Sequence, residues 1–265
     1  MSSKVKEREE KTRMNIGIIG FGRFGKLLAT ILVDDFPVLV YDNSKTDEDI
    51  MIEARSSEVK VTPAPVSEVA SCKNVFLCVP ILKFEEALQE YKQHFSKGAT
   101  IIDVLSVKEH PLKLMTEVQK DCDIEILLTH PMFGPDAVAE DGLKDQPIVI
   151  CPEKTSKSTV SLWCEYFKRK GLRVVEMSCE EHDKIIARSL CLTHLLGRAV
   201  DRIGISASNI DTKDFKNLLK MREHACNDSL ELYKGLQQKN QFAEEMRIEV
   251  MEALRGEIEN SLEDD

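Results

Sequence analysis

Three glycines set the first chemical possibility. In the run GIIGFGRFG over 17–25, Gly20, Gly22 and Gly25 follow an apolar stretch and lead into RFGKLLATILVDD, a segment with helical spacing. Such a turn suits a pyrophosphate. Gly20 permits the tight reversal, Gly22 leaves no side chain in the way, and Gly25 lets helix and strand approach, while the helix N-terminus offers unpaired N–H groups to an anion. Asp42 ends the next apolar run, 22 residues after Gly20, where a carboxylate accepts from adenine ribose hydroxyls. Arg23 and Phe24 inside the triplet, with Val79 and Pro80 at the end of the 74–80 run, complete the candidate cofactor contacts. An acid at position 42 repels the extra phosphate of NADP and favours NAD. The polar loop Asn43, Ser44, Lys45 leaves NADP open.

A second constellation lies at two later run ends. IEILLTH (124–130) closes on His130, followed by the turn residues of HPMFGP, and TIIDVLS (100–106) closes on Ser106. An imidazole that titrates near neutrality can take a hydroxyl proton while hydride leaves the same carbon. His130 is therefore the candidate proton acceptor, the alternative being a capping or core histidine. Ser106 orients His130 or the substrate hydroxyl, caps the helix of KEHPLKLM, or does both. Lys108 reads as structural, and no cysteine spacing calls for a metal.

To act together, these residues must meet at one edge of a sheet. The apolar runs at 15–20, 37–42, 74–80, 100–106, 124–130, 146–151 and 172–177 are mostly continuous, as in strands covered on both faces, and they alternate with helical patterns. This predicts an α/β, Rossmann-like, doubly wound and mostly parallel sheet over 14–178, with ligands at the carboxyl ends of its strands. From 179 to 265 the chain is nearly all helix former, apolar on more than one face. An all-α domain is expected there, pairing with a second copy in a homodimer. The charged residues 1–13 read as a flexible start and SLEDD as a solvated tail.

Composition bounds the partners. The 265 residues can bury a real core, and a hydrophobic share of 42% excludes wholesale disorder. With 36 Lys and Arg against 46 Asp and Glu, the net charge of −10 argues against nucleic acid and anionic membrane surfaces. The eight cysteines, several within apolar runs, read as buried thiols of a reducing cytoplasm. No apolar segment resembles a membrane span or a secretory signal, so a cytoplasmic protein is expected.

Four segments together, GIIGFGRFG (17–25), DVLSVKEHP (103–111), THPMFGPD (129–136) and MSCEEHDKIIARSLCLTHLLGR (177–198), resemble the prephenate and arogenate dehydrogenases of tyrosine biosynthesis, in particular the plant-type branch, over 14–235. The resemblance implies oxidative decarboxylation of a cyclohexadienol: His130 takes the ring hydroxyl proton, hydride passes to the nicotinamide, and CO2 leaves as the ring becomes aromatic. The family pattern makes His194 a substrate contact and His182 half structural, and it puts Cys191 where many bacterial relatives carry another histidine. For the arginine that holds the ring carboxylate in many bacterial members, a later stretch offers Lys216, Lys220 and Arg222 with no unambiguous match; Arg222 is the candidate, the alternative being a solvated helix charge. An acid after the HPMFGP turn tracks with arogenate use in plant-type relatives, and Asp141, allowing for one inserted residue, looks like its counterpart, the alternative being a plain solvent-facing charge. Arogenate is thus favoured over prephenate. Two alternatives remain: a β-hydroxyacid dehydrogenase or imine reductase with Lys184 as its catalytic lysine, and a dinucleotide-binding sensor without turnover.

Overall fold

The computed structural model describes residues 15–262, so the expectation of a flexible start over 1–13 lies outside the described residues. The chain divides into two compact units, 1–179 and 180–265. The first alternates strand and helix as far as its last strand: β1 Ile16–Ile19, α1 Arg23–Leu32, β2 Val38–Tyr41, α2 Asp47–Ser56, β3 Thr62–Pro63, α3 Val66–Ala70, β4 Asn74–Leu77, α4 Phe84–Tyr91, β5 Ala99–Asp103, α5 Glu109–Asp121, β6 Ile124–Pro131, α6 Pro135–Asp141, β7 Pro147–Cys151, α7 Lys157–Arg169 and β8 Arg173–Glu176. The sheet order is β3-β2-β1-β4-β5-β6-β7-β8. Every adjacent pair is parallel except β6 and β7.

Every residue of β1, β4 and β5 is buried, which is why their sequences are continuous apolar runs without alternation. Helix α7 supplies the largest side chain of the core. The Trp163 ring stands edge-on to Phe76 of β4, with centroids 5.0 Å apart, and its indole N–H donates to the Asn74 side-chain oxygen at 3.3 Å. The Tyr166 hydroxyl donates to the Ile31 carbonyl at the end of α1 at 2.8 Å. The polar ends of both rings are thereby satisfied inside the core.

The second unit is helical. Helix α8, Cys179–Ile186, passes through a π turn, Ala187–Cys191, into α9, Leu192–Ile203; α10, Lys213–Asn227, α11, Leu230–Lys239, and α12, Ala243–Asn260, follow. Thr212 and Ser229 cap α10 and α11 by accepting from Phe215 N–H and Leu232 N–H. Gly197 lets α9 approach α10: a Cβ there would lie 2.6 Å from that of Ala225. All eight cysteines are free thiols, five of them buried. Among the described residues no helix is long and apolar enough to cross a membrane.

Candidate active site

The sheet places the glycine turn at its switch point. Strand β1 lies between β2 and β4, and the chain crosses from one side of β1 to the other after β3. At such a point the helices on the two sides lie on opposite faces, which opens a crevice at the carboxyl ends of the strands. Gly20 leaves β1 with φ +100, and a Cβ there would meet the Cys78 carbonyl oxygen at 2.4 Å. A Cβ on Gly25 would meet the Gly20 carbonyl oxygen at 2.1 Å, whereas one on Gly22 would meet nothing within 4 Å. Helix α1 begins with no side-chain cap and no acid in its first turn. Its exposed N–H groups and the open space over Gly22 fit a dinucleotide pyrophosphate.

The other predicted cofactor residues divide. Val79, half-buried, and Pro80, exposed, follow β4 beside the crevice. The Phe24 side chain packs against the hydrophobic core, so its part at the cofactor turn is reduced to its backbone. Arg23 is half exposed and pairs with Asp136, on the first turn of α6, at 2.5 Å. The buried Asp42 carboxylate accepts from Phe21 N–H at 2.7 Å and from the Ser44 N–H and hydroxyl at 2.9 and 2.7 Å. It therefore braces the glycine turn, a task the sequence reading did not give it, and Oδ2, which among the described residues accepts only from Phe21, keeps lone-pair capacity for a ribose hydroxyl. Burial alone would raise this carboxyl. The bonds from Ser44 and Phe21, together with the Lys45 charge, outweigh burial and hold it below the usual range. Lys45 is engaged with Glu53 at 2.5 Å and with the Phe21 carbonyl at 2.8 Å.

Register fixes where the candidate catalytic residues emerge. Ile19, Leu77, Asp103 and Leu128 form one row across β1, β4, β5 and β6. Beyond that row β5 stops, but β6 continues through Thr129, His130 and Pro131, paired there with β7. His130 therefore stands two residues past the row, on the edge that carries Gly20, about 14 Å away at three strand spacings. It is 3% exposed. Ser106 lies half-buried in the loop after β5, which ends at Asp103, three residues sooner than the sequence suggested. The capping alternative for Ser106 is corrected, because Lys108 occupies the N-cap position of α5 and no side chain caps that helix.

Sequence reasoning missed a buried ion pair at this edge. Asp103 and Lys108 are both fully buried. Asp103 Oδ2 accepts from Lys108 Nζ and from Leu105 N–H at 3.0 Å. Its Oδ1 accepts from Thr129 N–H at 3.0 Å, while the Thr129 hydroxyl donates to the Asp103 carbonyl at 2.6 Å. Lys108 Nζ also donates to the Thr129 carbonyl. Burial pushes the Asp103 carboxyl up against the pull of Lys108. An aspartate inside an apolar run, five residues before a lysine, was the available signal.

The remaining predicted residues are placed as follows. Asp141 ends α6 and is exposed, five residues and about 7.5 Å of helix from Asp136. In the helical unit, buried His182 shares a 2.8 Å hydrogen bond with Asp183. His194 Nε2 lies 3.5 Å from Asp228, and its buried Nδ1 has no hydrogen-bond partner. Burial pushes this imidazole down, with the Asp228 carboxylate working against it. In a straight α-helix twelve residues would leave two side chains about 120° apart; the wider π turn takes up part of that angle and brings His194 back toward the His182 face. Buried Cys191 donates to the Leu236 carbonyl at 3.8 Å, and burial pushes its thiol up to about 12. Arg222 Nη1 donates to the Ile205 carbonyl at 2.5 Å, which ties down the chain after α9. Among the described residues one group has metal-ligand character, Cys151, Glu153 and Cys179, with donor atoms within 4.8 Å of one another. Glu153 there accepts from the Cys179 N–H that opens α8.

A family model described as the prephenate dehydrogenase nucleotide-binding domain matches residues 35–176, more than half of the chain. The chain belongs to the prephenate dehydrogenase family. The match takes in Asp42, Ser106, His130 and Asp141 and begins after the glycine turn. A second model, described as the TYRAAT1-like C-terminal domain, matches residues 199–265. Among curated relatives, arogenate dehydrogenase 1, chloroplastic, of Arabidopsis thaliana is 36% identical over 85% of this chain, and arogenate dehydrogenase 2, chloroplastic, is 31% identical over 87%. By these identities the chain resembles the plant members of the prephenate dehydrogenase family; it spans 36% and 65% of the two relatives' lengths. The fold is also that of a solved prephenate dehydrogenase from A. aeolicus in complex with hydroxyphenyl propionate and NAD+, with a TM-score of 0.70, 19% identity and coverage of 93% of this chain and 88% of the other.

Proposed function

We propose that this member of the prephenate dehydrogenase family oxidatively decarboxylates arogenate, or prephenate, with NAD. The observation that carries the reading is the position of His130, buried near the end of β6 where that strand outruns β5, on the edge where the glycine turn opens. A bound nicotinamide supplies the hydride acceptor. The Gly22 turn and the N-terminus of α1 hold the dinucleotide phosphates, and Asp42 faces the ribose. His130 accepts the proton of the substrate hydroxyl as hydride leaves the carbon that bears it, and Ser106 orients that hydroxyl. The ketone so formed is vinylogous to a β-keto acid, so CO2 departs and leaves its electron pair in an aromatic ring. The chain's contribution is positioning and one proton acceptor. His194, through its unpartnered nitrogen, contacts the substrate; His182, held by Asp183, supports the helix; Asp141 favours the ammonium of arogenate.

A homodimer through the helical unit belongs to the same reading. Helix α12 exposes Ile248, Met251, Leu254 and Ile258 at three- and four-residue steps, an apolar stripe of the kind that a second copy covers. So does a cytoplasmic location, which the free thiols favour; retention in an organelle, as in the chloroplastic relatives, would count against it. The β-hydroxyacid dehydrogenase alternative loses its lysine, since Lys184 is spent on Glu180 at 2.6 Å and lies over the Phe242 ring.

The test is steady-state kinetics with both substrates and both dinucleotides on wild type, His130→Asn and Asp141→Asn. The reading expects NAD reduction by wild type, a loss of about 10²–10⁴-fold in kcat with His130→Asn, and a shift of kcat/KM toward prephenate with Asp141→Asn. Dinucleotide binding without reduction by either substrate would favour a sensor.

A further inference from the structure

We propose that the buried Asp103–Lys108 pair is a positioning device that sets His130 and Ser106 in register with each other. This inference rests on the roles proposed above for those two residues. Where β5 ends, β6 loses its backbone partner on that side and yet must carry His130 two residues further. Side chains take over the missing ladder. The Thr129 N–H is held by Asp103 Oδ1 and the Thr129 carbonyl by Lys108 Nζ, so both backbone polar groups of the residue preceding the imidazole are fixed from one place. The Thr129 hydroxyl adds a third tie, to the Asp103 carbonyl.

The same carboxylate also controls the neighbouring loop. Asp103 Oδ2 accepts from Leu105 N–H, the residue before Ser106, and from Lys108, two residues after it. One aspartate thus anchors the strand end bearing the proton acceptor and the loop bearing the hydroxyl that orients it. Both charged groups are fully buried. A buried ion pair is a poor device for stability, because apolar side chains of similar volume generally serve as well or better. What this pair supplies is geometry: every ligand of the carboxylate lies on one of the two segments or on the lysine that closes them.

The test uses the full chain, with the paired substitution Asp103→Asn/Lys108→Met, which removes both charges together, and Thr129→Val, which removes one hydrogen bond and no charge. Each is made in wild type and in His130→Asn. The paired variant is expected to lower kcat about 10- to 100-fold, the range that a small misplacement of a catalytic group produces, with KM and dinucleotide Kd within twofold of wild type. In the His130→Asn background the same change should move the residual rate less than twofold, since no imidazole remains to be aimed. An equal loss in both backgrounds, or an unchanged kcat, would overturn the proposal. Thr129→Val should show the same background dependence with a smaller loss, and it carries the test if the paired variant fails to fold. A readout free of turnover comes from ¹⁵N-histidine NMR: the His130 resonances should shift or broaden in the variants while those of His182 and His194 stay in place. Unmoved His130 resonances would overturn positioning even in an active enzyme. A wild type that reduces no dinucleotide, with His130 resonances that do move, would instead overturn the catalytic reading and with it the register of a catalytic pair.

Discussion

Gly22 and Gly25 stand three residues apart in one turn and should respond to the same added methyl group in opposite ways. Gly25→Ala places a carbon 2.1 Å from the Gly20 carbonyl, so backbone must shift, at a cost of about 1–3 kcal/mol that a thermal melt would record. Gly22→Ala meets open space. It should melt like wild type and bind NAD more weakly by titration calorimetry, because the methyl group occupies the approach of the pyrophosphate. Equal melting temperatures for the two variants would contradict this division. Residues of this kind were legible in the sequence because the chemistry constrains residue type and spacing together. Asp103 and Lys108 were not, because the run TIIDVLS reads as a single strand until the structure shows that β5 stops at the aspartate. The inward turn of Asp42 toward Phe21 was equally hidden, since spacing gives a position along the chain and no side-chain direction.

The elements that sequence patterning found mostly bury apolar runs: β1, β2 and β4–β7, with α1, α4, α5 and α7; β8 was found from its run at 172–177 although no residue of the strand is fully buried. Patterning missed α2, whose residues DEDIMIEARS bury only Ile50 and Ala54, so almost no amphipathic signal survives. Its end signal was present nonetheless, as Thr46 and Asp49 form a reciprocal capping box. Thr46→Ala should lower stability by about 1 kcal/mol, measured by urea unfolding, and leave NAD affinity as it was. Strand β3 escaped because it is two residues long and contains Pro63, which places it at the sheet edge. Helix α6 begins at the last residue of HPMFGP, where Pro135 takes the first helical position. The reversal of β7 relative to β6 was not legible, because an apolar run carries no sign of strand direction.

For the whole molecule, the apolar stripe on α12 bears on assembly. Met251 and Leu254 are 70% and 53% exposed. If a second copy covers them, the double variant Met251→Glu/Leu254→Glu should elute as a monomer in light-scattering chromatography while the wild type elutes as a dimer. A monomeric wild type would sink this. The shift from strand to helix signal after residue 178 was visible in composition, because helix formers replace β-branched runs there. The π turn at 187–191 was not, since it adds no distinctive residue type. That turn has a consequence for heredity as well as for geometry. A wide turn behaves as one surplus residue held in an otherwise regular helix, so loss of the single codon for Ser189 should let the rod rewind to ordinary pitch. The product should melt at a higher temperature, and eleven residues of regular helix would set His194 about 20° from His182, so the two imidazoles should keep their common face.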